Sequence, residues 1–75
     1  MAESESRRKA IESLAECVRI ERARRQWSQA EVAQRAGTTP DRIGEIESAS
    51  VDPRLSTVEK VAEVLDIPVR IGDAA

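Results

Sequence analysis

Residues 28–40 read SQAEVAQRAGTTP, and no other stretch constrains the fold as tightly. Ser28 and Glu31 have the spacing of a capping box, in which each side chain satisfies the other residue's backbone N–H. A helix is therefore expected from Ser28, with Val32, Ala33 and Ala36 on its inner face. Gly37 follows at the place where a helix ends in a left-handed residue. Thr39 then caps a second helix, with Pro40 at the first helical position, where a missing N–H costs nothing. Only two large apolar residues, Ile43 and Ile46, serve the inner face of that helix. A pair of short helices with a tight bend, the second bare on most sides, must lean on other helices.

The flanks supply them. Upstream, Ile11, Leu14, Ala15, Val18 and Arg22 form one stripe of a 3.6-residue period, which predicts a helix from Lys9. Arg22 is anomalous there, because a charge on an apolar stripe needs a buried partner or a route to water. Residues 1–8 have no apolar periodicity and are expected to be a flexible N-terminus. Downstream, "SASVDPRL" reads as a loop. "STVE", Ser56 to Glu59, has the form of a second capping box. Val58, Val61, Ala62 and Leu65 give the best inward stripe of the sequence, and Asp66 and Pro68 end that helix. Val69, Arg70 and Ile71 alternate like a strand. A strand so short needs a partner, and the simplest is the same strand of a second copy across a two-fold axis. The alternative is a tail that tucks Val69 and Ile71 onto its own core.

Seventy-five residues make at most one domain. A chain of this size buries only about 60% of its unfolded surface and is marginally stable alone. With one cysteine and no histidine, neither a disulfide framework nor a His/Cys zinc site is available within the chain. No cofactor or metal is expected, and a homodimer remains as the way to bury more surface. Cys17 reads as a small packing residue and suits a reducing compartment. No apolar run approaches the ~18 residues of a membrane span, so a soluble, cytoplasmic protein without membrane contacts is expected. Charge is uneven. Residues 1–36 hold eight Lys/Arg against six Asp/Glu, whereas residues 37–75 hold four against eight. Such a balance allows a local basic face in the first half and leaves the second half acidic.

A short helix, a glycine bend and a second helix with few inward residues follow the helix-turn-helix plan. The residues resemble the phage repressor and Cro-type helix-turn-helix family. "WSQAEVAQRAGTT" is similar to its second helix and turn, "IGEIE" to the end of its recognition helix, and "LSTVEKVAEVLDI" to the helix that follows. The resemblance covers about residues 14–67. The tail "IPVRI" resembles a narrower group, small antitoxins of the high-persistence type, which add a strand for dimerisation. The implied fold is an all-α, four- to five-helix, lambda-repressor-like DNA-binding domain over residues 9–67. Residues 68–75 would then be a dimerisation strand and tail. The resemblance also implies a partner for Arg22, namely Glu47 at the end of the recognition helix. A planar guanidinium fork matches the two oxygens of that carboxylate.

Site residues transfer one at a time. Gln29 matches a glutamine that holds a DNA phosphate, and helix N-termini attract anions. Thr38 and Thr39 lie in the turn, where hydroxyls reach phosphates or base edges, although capping alone accounts for Thr39. The base-reading positions are Pro40, Asp41, Arg42 and Glu45, and here the chain departs from the family. Proline has no hydrogen-bonding side chain, and the two acids would face phosphates unless a cytosine amino group lay opposite. Arg42 is the best base reader, able to grip guanine O6 and N7, or else pairs with Asp41 or Glu45. Arg24, Arg25 and Arg35 are candidates for phosphates, with a solvated surface role equally open. The expected function is a transcriptional regulator that binds a palindromic operator on double-stranded DNA as a homodimer, as the autorepressing antitoxin of a cognate toxin. Two rivals stand beside it: the controller protein of a restriction–modification system, and a protein-interaction adaptor that has lost DNA binding. An enzyme is not expected, since no histidine exists and Cys17 has no base beside it.

Overall fold

In the computed structural model, which describes residues 2–68, the chain forms four helices. These are α1 (Ala2–Arg25), α2 (Gln29–Ala36), α3 (Pro40–Ser48) and α4 (Leu55–Leu65). All regular structure among the described residues is helical. Each of α2 and α3 packs on the other, and the pair rests on α1 and α4. The core draws one or more side chains from every helix: Ala15 and Val18, then Val32, Ala33 and Ala36, then Ile43 and Ile46, then Val58, Val61, Ala62 and Leu65. Leu14, Trp27, Val64 and Ile67 close its rim. Burying such aliphatic side chains stabilises the fold by about 1.5–3 kcal/mol for each large one.

Chain chemistry fixes the α2–α3 corner. The Ser28 N–H donates to Glu31 Oε1 at 2.7 Å, and the Glu31 N–H donates to Ser28 Oγ at 3.0 Å, completing the capping box. Gly37 takes φ +71°, and the next N–H, that of Thr38, reaches back to the Ala33 carbonyl at 2.9 Å. A side chain at 37 would strain this left-handed residue even though nothing crowds it. Thr39 Oγ1 accepts from the Arg42 N–H at 3.2 Å and opens α3, with Pro40 in the first turn.

Three expectations change. First, α1 starts at Ala2 rather than Lys9. Its early residues carry no apolar stripe, and residues 5–10 are all exposed. The segment is rich in Ala, Glu, Arg and Lys, whose intrinsic helix propensity extends a helix already nucleated by packing. Second, α4 starts at Leu55, with Arg54 at the N-cap and no side-chain cap, so Ser56 and Glu59 form no capping box. The earlier start lets the Val58 N–H pair with the Arg54 carbonyl at 3.0 Å, a backbone bond inside the helix in place of a hydroxyl cap. Third, Cys17 is exposed instead of packed. It directly precedes buried Val18, and neighbouring positions of a helix point some 100° apart. The expected strand, Val69, Arg70 and Ile71, lies outside the described residues.

Gly44 sits within α3 without a positive φ, and a Cβ there would meet the Gln29 side chain at 3.6–4.0 Å, an ordinary contact. Helix interiors favour alanine over glycine by about 1 kcal/mol. Gly44→Ala is therefore expected to stabilise the domain by roughly 0.5–1 kcal/mol in urea unfolding. A lower midpoint would show that α3 needs the bare position.

Candidate nucleic-acid interface

The rear of α3 is clamped and its front is free. Glu47, at 6% exposure the one buried charged residue among those described, is the centre of the clamp. Arg22 donates to it in a fork, Nε to Oε2 at 2.5 Å and Nη2 to Oε1 at 3.0 Å. The remaining guanidinium nitrogen, Nη1, donates to the Trp27 carbonyl at 3.0 Å. Gln29 Nε2 donates to Glu47 Oε1 at 3.0 Å. Arg19 donates through Nη1 to the Glu47 backbone carbonyl. One residue of α3 thus ties together α1, the α1–α2 turn and the first residue of α2. The Glu47 carboxylate raises the pKa of Arg22 by hydrogen bonding, against the opposing effect of burial. No buried side-chain polar atom among the described residues lacks a partner, as a buried ion pair requires.

At the front, Pro40, Asp41 and Arg42 are exposed and Glu45 is half-buried. Arg42 uses its backbone N–H to complete the Thr39 cap. Its side chain has no ion pair among the described residues, neither to Asp41 nor to Glu45. Asp41 lies in the first turn of α3, where the helix dipole favours an acid. The negative charge that is awkward for DNA is thus favourable for the helix itself. Thr38 is half-buried in the bend, and Thr39 is occupied as the cap.

The other sequence-derived candidates have partners within the chain. Arg24 reaches Glu21 at 3.2 Å, and Arg25 reaches Glu21 at 2.7 Å and Asp66 at 3.6 Å. Hydrogen bonding to Arg25, aided by Arg24, holds the Glu21 carboxyl below its ordinary value. Arg35 lies over the Trp27 ring at 4.2 Å and Arg25 lies near it at 5.6 Å, both cation–π contacts. Gln29 turns inward to Glu47. Arg19 escaped the sequence reading. Its signal was available: it stands three residues before Arg22 on the face of α1 that meets the end of α3, where unpaired carbonyls attract a cation.

No grouping of His, Cys, Asp and Glu among the described residues can hold a metal ion. Nor is any described helix long and apolar enough to cross a membrane.

A capped helix, a left-handed glycine and a second helix held at its rear and exposed at its front define a helix-turn-helix, the class that lays its second helix in the major groove of DNA. The family model described as "Helix-turn-helix domain" matches residues 13–70, and the chain belongs to that family. No curated protein and no solved structure matches the chain.

Proposed function

We propose that this protein is a sequence-specific DNA-binding regulator, with α3 as the reading helix and Arg42 as its principal base contact. The observation that carries this reading is the contrast along α3. Its rear is fixed by the Glu47 cluster, while Arg42 at its front is exposed with no ion pair among the described residues. A guanidinium presented on a rigid helix suits bidentate recognition of guanine. Arg24, exposed and paired with Glu21, can exchange that carboxylate for a phosphate at small cost, because exposed pairs contribute only about 0–1 kcal/mol. The finer reading is an autorepressing antitoxin that binds a palindrome as a homodimer, with the acidic second half of the chain free to meet a basic toxin. A controller protein of a restriction–modification system is the same chemistry in another setting. In either role the protein binds and does not catalyse.

The adaptor reading keeps one supporting observation, the acids Asp41 and Glu45 beside Arg42 at the front of α3. Binding to genomic duplex fragments at graded salt separates the two. A regulator's log affinity falls linearly with log salt, with a slope of about −0.9 for each phosphate neutralised. Absence of binding even at low salt would leave the adaptor.

A further inference from the structure

An apolar trough of about 370 Å³ opens between the first half of α1 and the start of α4. Ile11 and Leu14 line one side, and Pro53, Leu55 and Val58 line the other. Ile11 also borders a second, more polar recess, which it shares with Val51, Arg7, Arg8, Glu12 and Asp52. The exposed large apolar side chains of the described chain are Ile20, Val51 and Leu55, so two of the three flank Ile11. Leu55 is 49% exposed at the first position of α4. Apolar side chains gathered around a trough are a stronger sign of an interaction site than apolar residues exposed singly.

The rim identifies the occupant. Arg7 and Asp52 stand there 3.6 Å apart, with side chains 70% and 58% exposed. A patch that carries both signs at its edge is complementary to itself. A two-fold axis through it sets Arg7 of one copy against Asp52 of the other, twice, while the two apolar troughs face each other. The same loop also borders the reading helix, because Val51, Asp52 and Pro53 line a recess shared with Arg42 and Glu45. The proposed axis therefore runs beside the loop that leads out of α3.

We infer that this patch, built from the first half of α1 and the α3–α4 loop, is the surface on which a second copy of the chain docks. The inference deepens the regulator reading by naming the contact that makes the dimer. It differs from pairing through Val69–Ile71, which follow the opposite end of α4.

Sedimentation of the full chain without DNA tests it, so its outcome is independent of whether the protein binds DNA. The wild type is expected to dimerise, and Leu55→Glu to raise the dimer dissociation constant roughly tenfold or more. The variant should stay folded, since Leu55 is half exposed and an acid suits a helix N-terminus. A Val69→Ser, Ile71→Ser double variant should dimerise as the wild type does. Arg7→Glu and Asp52→Arg should each weaken the dimer, and an equal mixture of the two should restore it. In the mixture each new charge faces its opposite across the axis, which pairing within one chain cannot reproduce. A wild type that stays monomeric, a Leu55→Glu variant that dimerises normally, a mixture no tighter than its components, or loss of the dimer in the tail variant would each overturn the assignment.

Discussion

Replacing Arg22 with alanine is expected to destabilise the domain by about 3 kcal/mol, the lower end of the range for removing one member of a buried pair. The lower end applies because the Arg22 side chain keeps 24% exposure, against 7% for that of Glu47. Three hydrogen bonds vanish with the guanidinium, two to the carboxylate and one to the Trp27 carbonyl. Glu47 is then left buried with the Gln29 amide as its remaining side-chain donor. A domain of this length has a total stability of about 4–11 kcal/mol, so the loss is a large fraction of it. The melting temperature should fall on the order of 15 °C. Arg22→Lys should lose nearly as much, because an ammonium cannot make the fork. Arg24→Ala, which breaks an exposed pair 71% open on the arginine side, is the control and should change little. Thermal unfolding followed by circular dichroism reads all three. A loss for Arg22→Ala no greater than for Arg24→Ala would show that the cluster around Glu47 contributes nothing to stability.

Arg42→Ala is expected to reduce binding to a preferred duplex by about 1–3 kcal/mol while leaving the melting temperature near that of the wild type. Stability should hold because the Arg42 side chain is exposed and its contribution to the Thr39 cap is made by the backbone N–H. Sites selected by the wild type from a random duplex pool provide the ligand, and fluorescence anisotropy gives the affinities. The loss should be concentrated at one guanine position, so that replacing that base costs the wild type as much as it costs the variant little. Uniform weakening across all sequences would instead assign Arg42 to a phosphate. Asp41 and Glu45 act differently. With α3 in the major groove as proposed, these acids would be repelled by phosphates and base acceptors and would tolerate a cytosine amino group, which would narrow the set of sites without adding affinity.

Local rules were readable where they depended on near neighbours. The Ser28–Glu31 box, the left-handed Gly37 and the Thr39–Pro40 start each rest on residues within one turn, and the structure has each of them. The inward stripes of α2, α3 and α4 were equally legible, because burial on one face leaves a period in the sequence. The start of α4 was not. A hydroxyl followed three residues later by an acid fits a cap, but the chain takes the backbone bond from Val58 to Arg54 instead. The start of α1 was hidden too, since propensity without burial leaves no stripe.

The sequence by itself determined the four helical segments apart from the starts of α1 and α4, where the α2–α3 corner bends, and that Arg22 needs a buried partner or a route to water. Those facts follow from short-range backbone chemistry and from the cost of burying charge. Only the tertiary structure decided what the polar side chains do. It gathers Arg19, Arg22 and Gln29 on Glu47, stacks Arg35 on Trp27, and leaves Arg42 without an ion pair among the described residues. It also sets Ile11 in one recess with Leu55 and in another with Val51, residues at least 40 positions away in the chain. Long side chains reach whatever the packing of helices brings near, and no periodicity records that meeting.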